Sequence, residues 1–470
     1  MRRTMKRAII FLYLFAATLA SASTTPAQDS SAAPTLNVPA AAVNVVDPAA
    51  ATRSWLDSVP PDKRARSDAY FEGGYWLILW DFLLSAAISI FLLQSRISAR
   101  LRDFAERNEA FETTEDTLTA RILALWINFI RWLRRFKAMQ VVFYALPFIF
   151  LTSVLSFPLA AYEGFFREHQ YGMATQTFGP WFGEQLIALV VTLIGLSIFL
   201  VILYAVFRRA PNSWVLWGTA VVVAFSIFGA FIYPVFIAPL FNTYKPLSDP
   251  SIRDPILAMA RANEIPVAQV YEFDASRQTK RISANVAGFF GTTRVALNDN
   301  LLKRCTLPEI RQVMGHEMGH YVLNHSMKLI MFSAISIFIG LLITRSAFDK
   351  AVRRWGSRWG VRGIADPAGL PLLALIFSAY FFLITPISNT NTRTIEREAD
   401  AFGINTSREP DGFAAVSLKL GEYRKLDPGK WEEIIFFDHP SGRARIRMAM
   451  DWKAARLPTG NTPANALPAP

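Results

Sequence analysis

The sequence predicts an all-α polytopic membrane protein, with about six spans after a signal-like segment and a small α+β domain outside the spans. Hydrophobic residues make up 52% of the 470 residues. Charged residues make up 18%, against roughly 25% in soluble proteins. The apolar residues form long blocks, and an excess of basic residues between them gives a formal net charge of +12. This pattern excludes a soluble globular enzyme, a disordered protein and a nucleic-acid binder of the usual kind.

The first 22 residues have the organisation of a bacterial secretory signal. Basic residues come first, and the apolar run 8–20 and the small-residue pattern Ala20-Ser21-Ala22 follow, in the order typical of such signals. The alternative is an uncleaved signal anchor, and both place the next residues outside the cytoplasm. Residues 23–74 are predicted to form a disordered linker and a pre-span segment, since 23–52 are rich in Ala, Pro, Ser and Thr.

Six apolar runs follow the linker. The first four approach or exceed the ~20 residues that a membrane-spanning helix needs. The fifth is short, and a helix entering from the preceding segment could lengthen it. The runs are 75–93, 139–161, 186–207, 214–236, 329–344 and 370–387. We therefore predict a four-span membrane domain at 75–241, an extramembrane segment at 242–328, two further spans and a basic loop at 329–388, the rest of the extramembrane domain at 389–456 and a disordered tail at 457–470.

Positive charge is concentrated in three of the loops between these runs. Arginine and lysine cluster between the first and second, the third and fourth, and the fifth and sixth runs, whereas only Arg167 lies between the second and third. The positive-inside rule makes the three basic loops cytoplasmic. Residues 242–328 and the segment after Ser388 then face outward, which agrees with the signal. We predict a bacterial inner-membrane protein with its extramembrane domain on the periplasmic side.

Two of the five histidines lie in an H-E-x-x-H motif. His316 and His320 are four apart, so on a helix they share one face and could bind one tetrahedral zinc ion. Thr306 and Glu309 are spaced as a capping box, and apolar residues recur at helical spacing after them, which predicts the helix. The single cysteine, Cys305, excludes a Cys-based zinc site. The alternative is a pair of helix-surface histidines without a metal.

A catalytic zinc site needs a third protein ligand and an open position. Glu396 and Asp400, after the last span, are four apart and share a helical face. Glu396 could bind zinc, and Asp400 could accept the second N–H of a ligating imidazole and fix its tautomer. Two alternatives remain open: His325 as the third ligand, and a solvated helix in which Arg393 and Arg397 pair with these acids.

This residue set predicts hydrolysis of peptide bonds. Zinc lowers the pKa of its bound water toward ~7 and polarises a carbonyl group, and Glu317 could take the water proton and pass it to the leaving amine. His439 and Arg445 are candidates for the donor that a tetrahedral oxyanion needs. The alternative roles for these two are a capping histidine and a solvated arginine.

Residues 282–297 predict a β-hairpin around a Gly-Thr-Thr turn. Its edge could add an extended substrate peptide as another strand. Asn285 could anchor the backbone of that peptide. The alternative is an ordinary packed hairpin.

From about Tyr75 to Arg447 the sequence resembles the type I CAAX prenyl endopeptidases, a family of integral-membrane zinc proteases. The similarity is carried by 233–241 (YPVFIAPLF), 285–290, the H-E-x-x-H motif, 393–401, His439-Pro440 with Arg445, and the loop at 168–172 and 176–177. The resemblance implies a helical barrel enclosing a chamber, with side openings between helices. It also implies site residues: His316, His320 and Glu396 as zinc ligands, Glu317 as base, Asp400 behind a ligand, and Asn285, His439 and Arg445 around the substrate and oxyanion.

Two features depart from the family pattern. The family's first span is replaced by the signal-like segment and linker, and members that have that span place the site toward the cytosol, whereas the loop charges here place it outward. The signal also indicates a bacterium, where prenylated CAAX proteins are not expected as native substrates. We predict a zinc endopeptidase for peptide or protein substrates, with or without a lipid modification. The alternatives are an envelope quality-control protease without CAAX specificity, and a membrane channel, transporter or chaperone with a structural metal site.

Overall fold

The computed structural model describes residues 47–107, 117–287 and 293–456, and most of them are helical. The predicted signal at 1–22, the linker up to residue 46 and the tail at 457–470 lie outside the described residues. The helices are α1 Pro48–Asp57, α2 Pro61–Gln94, α3 Ile97–Glu106, α4 Leu118–Arg134, α5 Lys137–Ala161, α6 Arg167–Gln170, α7 Phe178–Arg209, α8 Trp214–Ile232, α9 Pro250–Ala262, α10 Asp299–Arg304, α11 Leu307–Val322, α12 His325–Trp359, α13 Leu370–Leu383, α14 Thr385–Ser407, α15 Pro410–Leu420, α16 Lys430–Phe436 and α17 Gly442–Arg456. The strands are β1 Tyr244–Pro246, β2 Val270–Phe273, β3 Ala284–Ala287 and β4 Arg294–Asn298.

The described residues contain five helices that are long and apolar enough to cross a membrane, and six such segments if a bent pair of helices counts as one span. The first three runs and the fifth lie in helices α2, α5, α7 and α12, and the fourth lies in α8 and the helical turns that continue it to Leu240. The fifth run is lengthened as expected, because α12 has 35 residues and starts directly after Asn324. The sixth run is broken: α13 and α14 meet at 56°. Pro386, in the first turn of α14, has no N–H to donate to the carbonyl group four residues earlier in α13, so it cannot continue the hydrogen bonding of that helix.

Helix α1 begins within the segment 23–52 that the sequence predicts to be a disordered linker, so that prediction is wrong for 48–52. The Asp47 side chain accepts the Ala49 N–H at 2.9 Å, and Pro48 takes the first helical position, where its missing N–H costs little. The helix packs Leu56 into the core of the extramembrane domain. A composition rich in Ala and Pro hides this contact, because one buried leucine has little effect on the average hydrophobicity of the segment.

Helix α4 lies in the first predicted basic loop. Its arginines are interleaved with apolar residues at helical spacing, which makes the helix amphipathic. Leu125, Trp126 and Phe129 are exposed. With 17 residues, α4 is shorter than the ~20 that a span needs, so it does not change the predicted number of spans.

The extramembrane domain contains a four-stranded sheet in the order β1-β2-β4-β3. β2 and β4 are parallel, and the other two pairs are antiparallel. The predicted hairpin strands are confirmed, with Asn285 opposite Ala296, while the turn at 288–292 lies outside the described residues. Within the described chain β3 pairs only with β4, so it forms an edge of the sheet. Ala284 and Val286 pack on the core, which places Asn285 on the opposite face.

The three predicted basic loops lie together at one end of the helical bundle. Arg345 donates to the Asn212 carbonyl at 2.9 Å, and this contact joins two of the loops. Arg102, in the loop between the first and second runs, donates to Asp366 at 2.6 Å and to the Gly360 carbonyl at 2.8 Å. Both acceptors lie in the loop between the fifth and sixth runs, so all three basic loops are connected. The H-E-x-x-H helix lies at the opposite end, because α12 starts beside it and ends next to Gly360.

Candidate active site

Helix α11 carries the H-E-x-x-H motif, and a capping box starts it as predicted. The Thr306 N–H donates to the Glu309 carboxylate at 2.5 Å, and Lys419 Nζ donates to the same carboxylate at 2.8 Å. The first contact, together with the Thr306 side chain that accepts from the Glu309 backbone N–H, satisfies two backbone donors at the helix start. The helix then continues to Val322 and places both motif histidines on one face.

Helix α14 crosses α11 at unusually short range because glycines meet at the crossing. A Cβ atom on Gly403 would lie 2.8 Å from the His316 backbone nitrogen, and one on Gly315 would lie 2.9 Å from the Gly403 carbonyl oxygen. Gly319 packs in the same way against Ala399 and Phe402. Only residues without a side chain permit this approach, and the approach lets acidic side chains of α14 reach the histidines of α11.

Three side chains converge at this crossing. His316 Nε2 lies 3.1 Å from His320 Nε2 and 3.3 Å from Glu396 Oε2, and His320 Nε2 lies 3.6 Å from Glu396 Oε1. Ligand atoms about 2.0–2.1 Å from a tetrahedral zinc ion lie about 3.3–3.4 Å from one another. The distance between the two ring nitrogens, and the distances from each of them to an oxygen of Glu396, are close to this value, and these residues form a group that could hold a metal ion.

His316 has a buried carboxylate behind it. Its Nδ1 lies 2.7 Å from Asp400 Oδ1. Because an ionised carboxylate only accepts hydrogen bonds, the Nδ1 proton of the ring points to Asp400 and the lone pair of Nε2 points into the site, toward His320 and Glu396. Arg445 Nε lies 2.8 Å from the other oxygen of Asp400, and Arg445 Nη2 lies 4.0 Å from Glu396 Oε2. The guanidinium of Arg445 therefore places a positive charge beside the buried Asp400 carboxylate.

His439 completes the polar wall of the site. Its Nε2 lies 3.8 Å from Glu396 Oε2, and its Nδ1 lies 2.9 Å from Asp438 Oδ1. The turn that carries it is fixed by the Ser441 N–H, which donates to Glu433 at 3.0 Å. The imidazole is therefore held beside the three convergent side chains, with one ring nitrogen turned toward them.

Known proteins with similar sequences place this site in a family. Residues 246–453 match peptidase family M48, and residues 48–243 match the CAAX prenyl protease N-terminal region with five membrane helices. The uncharacterized metalloprotease YhfN of Bacillus subtilis is 31% identical over 316 residues, covering 67% of this chain and 74% of YhfN. The chain belongs to peptidase family M48.

A further relative and a solved structure agree with the assignment to this family. CAAX prenyl protease 1 of Saccharomyces cerevisiae is 27% identical over 339 residues, covering 68% of this chain and 74% of the yeast protein. The crystal structure of S. mikatae Ste24p has the same fold, with a TM-score of 0.64 and 17% identity, over 95% of this chain and 99% of that one. The predicted fold class and family resemblance are confirmed. The chain is a multi-pass membrane metalloprotease that acts on peptides and uses zinc.

The M48 fold brings most of the predicted site residues together, namely His316, His320, Glu396, Asp400, His439 and Arg445. Glu317 lies on α11 between the two histidines and is half-buried. Asn285 lies on the edge strand β3, which runs beside α11. Glu396 and Asp400 are buried, and Arg393 donates to the Glu433 and Phe437 carbonyl oxygens. The solvated-helix alternative therefore does not describe α14.

A polar cluster that motif reading missed anchors the extramembrane domain of this M48 protein to its membrane helices. Glu168, at the end of the second span, accepts from Tyr70 and from Arg281 at 2.6 Å each. Burial alone would lower the pKa of Arg281, but Glu168 and Tyr70 raise it overall. The family-like loop at 168–177 gave the only signal for this cluster, since its partners are about a hundred residues away in the chain.

Proposed function

We propose that His316, His320 and Glu396 hold the zinc of this protease and that Glu317 is the general base. The observation that carries the proposal is the convergence of the two Nε2 atoms, 3.1 Å apart, on the Glu396 carboxylate, with one of its oxygens 3.3 Å from His316 and the other 3.6 Å from His320. Zinc in such a site polarises the substrate carbonyl and activates water. Glu317, next to a ligand on the same helix, takes the water proton and transfers it to the leaving amine.

The remaining residues act on the substrate and the ligands. His439 and Arg445, each within about 4 Å of Glu396, donate to the oxyanion that develops on the scissile carbonyl. Asp400 orients His316 through its 2.7 Å contact. Edge strand β3 takes up an extended peptide as an added strand, and Asn285 binds that peptide's backbone.

We propose that the site opens to the periplasmic side of a bacterial inner membrane. The clustering of the three basic loops at the far end of the bundle supports this orientation. The bacterial relative at 31% identity supports the assignment to a bacterial membrane. Single-cysteine labelling tests the orientation, and the native Cys305 must first be replaced by serine. Burial raises the pKa of the Cys305 thiol to about 12, so Cys305 cannot itself serve as the reporter, and its replacement removes the remaining background.

Two exposed positions report the two ends of the bundle: Glu264, in the extramembrane domain, and Asn212, in a basic loop. In intact spheroplasts of an expressing bacterium, an impermeant maleimide should label Glu264→Cys at once and Asn212→Cys only after lysis. The reverse pattern would place the site in the cytosol.

We propose that the substrate class is an extended peptide and that a prenyl group is not required. The relatives named CAAX prenyl proteases are eukaryotic, and the bacterial relative is named only as a metalloprotease. The test is cleavage by detergent-purified protein of two peptides that differ only in farnesylation of a CAAX end. Similar rates support the proposal and admit a quality-control role, whereas cleavage of the farnesylated peptide alone would establish CAAX-type specificity.

The same cleavage assay tests the assignment of Glu317 as the general base. Glu317→Gln should keep its zinc and lose cleavage by about a hundredfold or more, since general-base catalysis contributes about 10²–10⁴. Glu264→Gln, an exposed acid in the same domain, should cleave like the wild type. Cleavage by Glu317→Gln at the wild-type rate would remove Glu317 from the mechanism and revive the structural-metal alternative.

A further inference from the structure

A chain of three side chains extends outward from His320, on the side away from Glu396. His320 Nδ1 lies 3.0 Å from His325 Nδ1, and His325 Nε2 lies 3.1 Å from Glu398 Oε2. Lys328 Nζ donates to the same carboxylate oxygen at 2.5 Å. His325 is buried, whereas Glu398 and Lys328 are partly exposed. The chain therefore connects the buried site to the protein surface.

The Glu398 carboxylate at the outer end of this chain determines which ring nitrogen of each histidine carries a proton. Glu398, paired with Lys328, can only accept, so His325 donates from Nε2. A neutral His325 then has its lone pair on Nδ1, and His320 must donate to it from its own Nδ1. This leaves the lone pair of His320 on Nε2, which points into the site. Asp400 produces the same tautomer in His316.

Two consequences follow for the site. The Nε2 lone pairs of His316 and His320 face each other at 3.1 Å, an arrangement that repels unless a cation lies between them. His325 cannot supply a further ligand, because both of its ring nitrogens are already used, one by His320 and one by Glu398. The open alternative of His325 as the third ligand does not fit this geometry.

We propose that His325 is a positioning residue: held by Glu398 and Lys328, it fixes the tautomer and ring orientation of His320 for zinc binding. The inference rests on the proposed zinc ligands. Partners behind metal-bound histidines raise the basicity of the ligand and fix its orientation, and their loss typically weakens metal binding or activity by about 10–100-fold.

The test measures the zinc dissociation constant of detergent-purified variants by competition with a chelator. His325→Phe keeps a ring and removes both nitrogens, and it should bind zinc about 10–100-fold more weakly than the wild type. His325→Asn places an amide oxygen near the position of Nδ1, where it can accept from His320, and it should recover most of this loss. His325→Gln, whose amide group lies nearer the position of Nε2, should not.

Rescue by asparagine separates positioning from packing. If His325 only fills space, Phe should be tolerated best, and all three variants should differ in melting temperature rather than in zinc affinity. Wild-type zinc affinity in His325→Phe would overturn the inference. The absorption spectrum of the cobalt-substituted protein gives a second readout, since a misoriented His320 changes the ligand field.

Two further measurements keep the inference and the proposed function apart. Wild-type protein that binds no zinc, or His316→Ala that retains it, would contradict the proposed ligands whatever the His325 variants do. Lys453→Met removes an exposed ion pair with Asp411 in the same domain, 2.6 Å long, and it should leave zinc affinity unchanged. A loss of zinc in that control would mean that the assay reports general surface damage.

Discussion

The two histidines of the site receive the same chemical support from opposite kinds of environment. Behind His316 lies Asp400, which is 1% exposed and is paired with Arg445, itself 6% exposed. Behind His320 lies the pair His325 and Glu398, and Glu398 is 42% exposed. One side of the site relies on a buried ion pair, and the other on a relay that reaches solvent.

This difference in exposure predicts how strongly each supporting ion pair contributes to the stability of the site. Breaking a buried ion pair by removing one charge costs about 3–5 kcal/mol, because the remaining charge stays buried. An exposed pair is worth about 0–1 kcal/mol. Both carboxylates come from α14, two residues apart, so a single helix supplies a strong partner to one ligand and a weak one to the other. We expect the two sides to respond very differently to matched substitutions.

Asp400→Asn should have the largest effect. The amide oxygen can still accept from His316, but Arg445 loses the counter-ion at 2.8 Å and keeps only the Glu396 carboxylate, 4.0 Å from its Nη2. Leaving a buried guanidinium so weakly paired should lower the free energy of unfolding by up to about 3–5 kcal/mol. The melting temperature should fall and zinc binding should weaken. Asp411→Asn, which breaks the exposed pair with Lys453, is the matched control. Equal melting temperatures for the two variants would contradict the contrast between buried and exposed support.

Gly403→Ala should have the next largest effect, and it should affect both sides of the site together. Its new Cβ atom would meet the His316 backbone nitrogen at 2.8 Å, so α11 and α14 must separate at a cost of about 1–3 kcal/mol. Zinc affinity and cleavage rate should fall in parallel. Gly229→Ala, where the added Cβ atom meets nothing within 4 Å, should behave like the wild type. Wild-type zinc affinity and cleavage rate in Gly403→Ala would contradict this prediction, because they would show that α11 and α14 can move apart without loss of function.

Part of this architecture could be predicted from the sequence. Apolar runs predicted the five long helices and the bent pair α13 and α14, because a bilayer imposes a length and composition that short stretches of chain reveal. The spacing of four between His316 and His320, and between Glu396 and Asp400, indicated shared helical faces. That these two faces meet depends on contacts between residues more than 80 positions apart, and it was inferred from chemistry and resemblance.

What could not be predicted depends on backbone geometry. Gly403 weakens a helix by propensity alone, so its role at the crossing is visible only once α11 lies against it. His325 reaches His320 because Asn324 takes a left-handed conformation, with φ of 53°, and turns the chain between α11 and α12. Asparagine tolerates this conformation, but the residue type does not specify the direction of the following helix. The relay through His325 therefore gave no sequence signal beyond its position five residues after His320.

Glu398→Gln should have the smallest effect and is the sharpest test of the comparison. Glutamine keeps an acceptor for His325, and the ion pair that it breaks, with Lys328, is 49% and 42% exposed. We expect zinc affinity to weaken by at most about fivefold, the equivalent of about 1 kcal/mol. The melting temperature should stay within the range of the Asp411→Asn control. A loss as large as that in Asp400→Asn would show that the relay acts as a buried pair in spite of its exposure.

Salt separates the two sides further. Raising the ionic strength from about 0.01 M to about 1 M shortens the Debye length from about 30 Å to about 3 Å, and it screens exposed pairs far more than buried ones. The difference in zinc affinity between wild type and Glu398→Gln should therefore shrink toward zero at high salt. The difference between wild type and Asp400→Asn should persist, because solvent ions do not reach the contact between Asp400 and Arg445. If both differences shrank together, the ion pair behind His316 would be open to solvent, and the two sides of the site would not differ in the way their exposures indicate.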